Sequence, residues 1–224
     1  MRQRKKNRKN RIRSRTVPDS QFEQSARDAG YERICGIDEA GRGPWAGPVI
    51  AAAAVIDFKR VSPHLLSQLD DSKKLTGDRR LAAFQALSDQ IQFGLGTASV
   101  AEIDEINILQ ATFLAMRRAV AALPVGVDMA LIDGNKCPGL DCAERAIVRG
   151  DGLSYSIAAA SIIAKVSRDR VMADLARRYP GYGWERNAGY GTPEHQRALG
   201  RLGVTPAHRK TYAPIRKILG QMTS

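Results

Sequence analysis

The chain has 224 residues, 43% of them hydrophobic, and a formal net charge of +12. Such a chain can bury the core of one substantial globular domain. No run approaches the roughly 18 apolar residues of a membrane-spanning helix, and three cysteines without disulfide-like spacing (Cys35, Cys137, Cys142) point to small buried thiols in a reducing cytoplasm.

Charge is concentrated at the start. Residues 1–15 hold nine Lys or Arg and no acid, leaving three of the twelve net charges for everything else. Residues 1–20 therefore read as a basic arm that cannot bury apolar surface and is disordered when free. It suits electrostatic attachment to nucleic acid and reads equally as a solubilising extension. No apolar stretch follows the charges, which excludes a secretory signal. With Ile12 as its aliphatic residue up to Thr16, an amphipathic presequence helix is not expected.

The folded domain spans 21–224, with order beginning near Phe22. Residues 33–38 read as a short strand and 41–48 as a turn. Val49–Ile56 is apolar throughout and bounded by Pro48 and Asp57, which suits a strand buried on both faces, although periodicity alone leaves a helix open. Residues 62–76 read as loop. Gly77–Gln90 reads as a helix with Leu81, Phe84 and Leu87 inward, and 91–100 as a glycine-rich strand. Ile103–Leu123 reads as a longer helix with Ile103, Ile106, Leu109, Ala111, Phe113, Met116 and Val120 on one side. Residues 128–133 and 145–149 read as strands, and 155–179 as a helix. Thr192-Pro193-Glu194 is a helix start: hydroxyl N-cap, Pro at the first position, acid in the first turn. A last helix covers 214–222, in a helical C-terminal region from about 190. The pattern predicts an α/β fold with a mixed sheet.

The chemistry is concentrated in Gly36-Ile37-Asp38-Glu39-Ala40-Gly41-Arg42-Gly43-Pro44. Asp38 and Glu39 close an apolar run, and an arginine between two glycines follows. Asp133 ends a second strand and Asp151 follows a third. Open α/β sheets place ligands beyond strand ends. Four carboxylates gathered there would repel unless cations neutralised them, and a pair of Mg²⁺ or Mn²⁺ ions does this while driving phosphodiester hydrolysis. Each acid alone could equally be a turn or cap residue. Adjacent strand residues point to opposite faces, so Asp38 and Glu39 are expected to converge only if the chain leaves extended geometry at Glu39. Gly41-Arg42-Gly43 lacks the Lys-Ser/Thr of a phosphate-binding P-loop. It could bring backbone close to a ribose 2′-hydroxyl, the group that separates RNA from DNA.

These residues resemble the bacterial ribonuclease HII family. The matching segments are 36–49, Asp71-Ser72-Lys73-Lys74-Leu75, 102–112, Leu131-Ile132-Asp133-Gly134-Asn135-Lys136-Cys137-Pro138, Gly150-Asp151, 156–169, 179–184, Gly189-Tyr190-Gly191-Thr192 and His208-Arg209-Lys210-Thr211-Tyr212. The resemblance implies a ribonuclease H-like fold with a central mixed β-sheet flanked by helices and a C-terminal helical extension. It implies cleavage of RNA in RNA–DNA hybrids, and nicking 5′ of ribonucleotides embedded in duplex DNA. Asp38, Glu39, Asp133 and Asp151 match the metal-binding acids. Gly41, Arg42 and Gly43 match the turn that reads the 2′-hydroxyl, and Tyr190 the aromatic that packs on the neighbouring deoxyribose. Trp45 departs from the family, many members of which carry an aliphatic residue there.

Lys73, Lys165, Arg209 and Ser161 are candidate phosphate contacts. Lys165 reads equally as a solvated helix residue, and Ser161 as a small residue permitting close packing. His64, His195 and His208 form no metal-spaced cluster, and His195, in the first turn of a helix, is expected at the surface. A monomer is expected. The competing readings are a nucleic-acid-binding protein without catalysis and a metal-dependent DNA nuclease or phosphatase.

Overall fold

The computed structural model describes residues 17–69 and 75–222. A five-stranded sheet lies at the centre, built of β1 (Ile34–Ala40), β2 (Val49–Val55), β3 (Gln92–Ala98), β4 (Met129–Asp133) and β5 (Ala143–Ile147), in the order β3-β2-β1-β4-β5. β1 pairs antiparallel with β2, and β2 with β3. β4 pairs parallel with β1 on one side and with β5 on the other. The helices are α1 (Gln21–Asp28), α2 (Pro63–Gln68), α3 (Gly77–Gln90), α4 (Val100–Ala121), α5 (Tyr155–Arg178), α6 (Trp184–Asn187), α7 (Pro193–Leu202) and α8 (Ala213–Met222).

Helices cover both faces of the sheet, which is why β2 reads apolar without alternation. On one face Ala52 and Ala54 pack with Ala158, Ile162 and Ile163 of α5 and with Leu87 of α3. On the other, Cys35, Ile37, Ala51 and Ala53 pack with Ile103, Ala115, Met116 and Ala119 of α4. The contacts are close enough to need missing side chains. A Cβ on Gly36 of β1 would stand 2.1 Å from the Ser156 carbonyl carbon of α5, and one on Gly96 of β3 2.0 Å from the Ala115 oxygen of α4.

The sequence pattern is corrected in several places. The expected loop at 62–76 contains α2, a short helix capped by the Ser62 side chain, which accepts from the Leu65 amide. α3 has the expected bounds, but Leu81 is exposed and Ala83 takes the inward position with Leu87. α4 is kinked at Asn107 (φ 65, ψ 164), so the inward face past the kink is Ala111, Thr112, Ala115, Met116 and Ala119 rather than the predicted single stripe. The last strand runs over 143–147 rather than 145–149, because its parallel register with β4 stops where β4 stops, at Asp133 opposite Ile147. Cys35 is buried as expected, whereas Cys137 is exposed and Cys142 half-buried.

The C-terminal region packs as its own cluster. Trp184, Tyr182, Leu199, Ala207 and Ile215 surround Ala46 and Met172. A bridge between Ala46 and His208 ties it to the turn after β1.

Candidate active site

The strand ends bring the predicted acids together. Ile37 pairs with Ile132, so Asp38 and Asp133 leave neighbouring parallel strands at the same level. β4 stops there, while β1 runs on to Ala40 with β2 still paired on its other side. The β4-side edge of β1 is therefore open beyond Ile37. The Glu39 amide donates to Asp38 Oδ1 at 2.7 Å. The chain does not leave extended geometry at Glu39, the condition set for Asp38 and Glu39 to converge: Glu39 keeps its strand pairing with Ala51 and the chain turns at Gly41 (φ +103), yet the Glu39 charge still acts on Asp38.

Asp38 is 4% exposed. Burial first, then the Glu39 and Asp133 charges, push its pKa well above the usual carboxylate range; hydrogen bonds from the Ser161 side chain and the Glu39 amide oppose this only in part. Asp133 Oδ1 accepts from the Gly150 amide at 2.7 Å. That bond links β4 to a 3-10 turn over Gly150–Gly152, which holds the buried Asp151. Arg149, in the left-handed region at φ 60, makes the corner from β5 into this turn.

The Glu39 and Asp133 charges thus both act on Asp38, and Asp151 follows the Gly150 whose amide binds Asp133. Among the described residues no three His, Cys, Asp or Glu side chains are drawn together tightly enough to hold a metal ion as they stand. That spacing suits carboxylates that repel one another, one bonded to the Gly150 amide and one paired with Arg42 at 3.3 Å. The donor set fits a hard divalent cation: all four groups offer carboxylate oxygens, two of them, Asp38 and Asp151, are buried, and Asp38 is disfavoured as an anion until positive charge arrives.

Two buried arginines build the turn. Arg209 is fully buried and donates to the carbonyls of Gly41 (2.5 Å), Arg42 (3.0 Å), Gly47 (2.8 Å) and Pro48 (3.2 Å). The Tyr212 hydroxyl also donates to the Arg42 carbonyl, at 2.6 Å. Arg168, 1% exposed, donates to Pro48, Ala46 and Ala188 carbonyls. The carbonyls of Gly41 and Arg42 are thus drawn inward. Among the described residues, the amides of Gly41, Arg42 and Gly43 meet no protein acceptor. Gly41 is required on two counts: its φ is positive, and a Cβ there would stand 2.0 Å from Arg168 Nε.

The Tyr190 ring stands beside this turn. It is 49% exposed, and a Cβ on Gly43 would lie 3.2 Å from its Cε1. Trp45 fills the space between the turn and the Tyr190 loop. Its amide donates to the Gly189 carbonyl at 2.8 Å, and its indole occupies the place a side chain at 191 would take.

Other expectations change. Arg209, expected on phosphate, supports the turn from beneath. Ser161, 3% exposed, bonds the Asp38 carboxylate. Lys165 Nζ lies 2.5 Å from Asp169 Oδ1, one turn along its own helix. Lys73 lies outside the described residues, as do residues 1–16 of the basic arm; the arm's end, expected disordered, is instead tied to the fold, since Asp19 bridges Ser154, its amide donates to the Leu153 carbonyl and its carbonyl accepts from the Tyr155 amide. His195, expected at the surface, is fully buried and meets His208 Nε2 to Nε2 at 3.0 Å. The sequence reading missed Arg168 and the histidine pair. Arg168 has no local signal, because its carbonyl partners lie 20 to 122 residues away, and the two histidines that meet stand 13 residues apart.

The sequence model of the family described as Ribonuclease HII matches residues 35–215. A Ribonuclease HII of Rhodospirillum rubrum is 62% identical over 191 residues, covering 84% of this chain and 88% of that protein. The ribonuclease H2 structure from Pyrococcus horikoshii superposes with a TM-score of 0.73 at 29% identity, covering 86% of this chain and all of that one. A structure of Bst-RNase HIII in complex with Mn²⁺ gives 0.70 at 18% identity, over 88% of this chain and 72% of the other, a likeness of fold.

Proposed function

Because the chain belongs to the ribonuclease HII family, divalent-metal-dependent endonucleases that cut RNA in RNA–DNA hybrids, we propose that Asp38, Glu39, Asp133 and Asp151 hold its catalytic ions. The observation that carries this reading is the buried Asp38, whose anion the fold disfavours through Glu39 and Asp133. When bound, Mg²⁺ or Mn²⁺ supplies a nucleophilic water at neutral pH and neutralises charge on the scissile phosphate.

The chain's own residues position the substrate. The outward amides of Gly41, Arg42 and Gly43 meet the 2′-hydroxyl and phosphate of the ribonucleotide, with Arg209 and Tyr212 holding the loop's carbonyls away. The Tyr190 ring, beside Gly43, packs on the next sugar, where a deoxyribose fits. The site therefore reads an RNA-to-DNA step and not only a hybrid, so the enzyme also nicks 5′ of a single ribonucleotide in duplex DNA. The products carry a 3′-hydroxyl and a 5′-phosphate. No side-chain nucleophile is required; orientation and charge neutralisation carry the rate. The reading places a monomer in the cytoplasm. Among the described residues no helix is long and apolar enough to cross a membrane.

The test is a duplex with one ribonucleotide beside an all-DNA control, each incubated with Mg²⁺ or Mn²⁺. Nicking is expected at the ribonucleotide alone; equal cutting of both duplexes, or of neither, overturns the reading. Asp133→Asn keeps the oxygen that accepts from Gly150 and should fold, yet lose activity by about 10²-fold or more, following the scale of lost electrostatic stabilisation. A variant turning over near the wild-type rate would remove Asp133 from the metal set.

A further inference from the structure

The Tyr190 ring is half-exposed, but its backbone is held on both sides. Its amide donates to the Asn187 carbonyl at 2.9 Å. Its carbonyl accepts from the Thr192 amide at 2.8 Å and lies 2.9 Å from His195 Nδ1. His195 is fully buried, and its other nitrogen faces two groups: Trp184 Nε1 at 3.1 Å and His208 Nε2 at 3.0 Å. His208, also fully buried, has its Nδ1 2.9 Å from the Thr205 amide.

The donors fix every proton in this chain of contacts. A backbone amide can only donate, so His208 Nδ1 is a bare acceptor and the ring carries its hydrogen on Nε2. That hydrogen points at His195 Nε2. An indole N–H also can only donate, and it points at the same atom. His195 Nε2 is therefore bare, and its hydrogen sits on Nδ1, where it donates to the Tyr190 carbonyl. Both rings are neutral, and each hydrogen bond runs one way, from Thr205 through His208 and His195 to Tyr190.

We propose that His195, oriented by His208 and Trp184, is a positioning residue: its Nδ1–H holds the Tyr190 carbonyl and so sets the ring against the sugar beside the ribonucleotide. This rests on the reading of Tyr190 as a substrate contact. The histidines touch neither substrate nor the acids. Their role differs from that of the buried arginines, which shape the glycine turn. The pair instead fixes the distance between turn and ring.

Two isosteres separate the atoms of one imidazole. The amide of Asn reaches about as far as Nδ1, and that of Gln about as far as Nε2. Both leave similar gaps, so both should lower the thermal midpoint. On the single-ribonucleotide duplex, His195→Asn should keep KM within about twofold. His195→Gln should raise KM by about 2- to 13-fold with little change in kcat, the fold-change of one lost neutral hydrogen bond. Equal KM values for the two variants overturn the proposal.

Tyr190→Ala serves as reference. If it leaves KM and kcat unchanged, the reading of Tyr190 fails and the proposal with it. If it raises KM while a folded His195→Gln does not, the proposal alone fails. Should His195→Gln not fold, ¹⁵N spectra of histidine-labelled wild-type protein decide. His195 is expected as the Nδ1–H tautomer and His208 as the Nε2–H tautomer. An Nε2–H signal from His195 overturns the assignment, because no donor would then face Tyr190.

Discussion

The anion of Asp38 is one that the protein alone does not balance. Asp38 is 4% exposed, and the charges that act on it are acids: Glu39 beside it in β1 and Asp133 across the open strand edge. The Ser161 hydroxyl and the Glu39 amide supply hydrogen bonds, but neither is a cation. In metal-free protein the ionised Asp38 is therefore a cost. Asp38→Asn keeps an oxygen for the Glu39 amide and removes that charge. The variant should gain about 1–3 kcal/mol of stability without metal, on the scale of an uncompensated buried polar group. It should also lose most nicking activity. Saturating Mn²⁺ should raise the wild-type midpoint, since a ligand at 100 times its Kd adds about 2.7 kcal/mol, and should raise the variant's much less. Thermal melts with and without metal, run beside the nicking assay, check all three outcomes. A metal-free variant less stable than wild type would mean that Asp38 is balanced by the fold. The four acids proposed for the metal site stood out in the sequence by their place after apolar runs, although β1 carries Asp38 and Glu39 within the strand and not at its end. Arg209 was legible only as a charge: nothing in His208-Arg209-Lys210 says that its guanidinium will meet carbonyls more than 160 residues earlier.

At the scale of elements, the site depends on how closely α5 lies against β1. Gly36 makes that contact, at the same level as Leu131 of β4 and two residues before Asp38. Ser161 can reach Asp38 only because the helix backbone comes this near. Gly36→Ala would put a methyl 2.1 Å from one backbone carbon and 2.3 Å from a backbone nitrogen, with no flexible side chain to yield. Destabilisation of about 3 kcal/mol or more is expected, above the usual range for an extra methylene, with a matching loss of activity at temperatures where the variant is still folded. Denaturant unfolding measures the first. A variant within about 0.5 kcal/mol of wild type, the range of an ordinary surface substitution, would show that α5 can shift without harm. Elements of this kind are legible where local chemistry announces them. Thr76, Ser99, Ser154 and Thr192 all cap helices through their side chains, as a hydroxyl before a helical run implies. The kink in α4 was missed although its signal is present: Asn107 Oδ1 accepts from the Leu109 and Gln110 amides and restarts the helix as a cap within it. α2 and α6 are too short for periodicity to register. The two-residue shift of β5 follows from pairing with β4, which no local pattern contains.

At the largest scale, the described residues form a helix-covered sheet, with Asp38 and Asp133 on neighbouring strands, and a helical cluster that carries Tyr190, the other wall of the proposed site. Buried Arg168 and Arg209 and the bridge at Ala46 join the two parts. The cluster contains the histidine pair, and this gives the protein an acid limit that can be located. Burial, and then the nearby His195, hold the His208 pKa down at about 4, from an ordinary 6.5; burial likewise lowers His195. A base whose pKa is lowered on folding binds its proton better when unfolded. Its stabilisation is therefore complete above about pH 6.5 and is lost as pH falls from there toward 4, at up to about 1.4 kcal/mol per pH unit for each such group. Asp38 has the opposite sign, because a raised carboxylate pKa makes protonation favour the folded state. Total stability thus mixes the two, and the histidine contribution must be isolated by difference. His208→Gln offers a donor to His195 without a titrating ring. It should be less stable than wild type at pH 7.5, and the gap should narrow steadily between pH 6.5 and pH 4.5. The readout can be local, since both tryptophans of the chain, Trp45 and Trp184, have ring centroids 5.8 Å from that of His195. Tryptophan fluorescence should therefore report loosening of the helical cluster at a higher pH than circular dichroism reports loss of the sheet. If the gap between wild type and His208→Gln stays constant with pH, the pair does not stay neutral in the folded protein, and the one-way chain of donors that leads to Tyr190 would have to be redrawn.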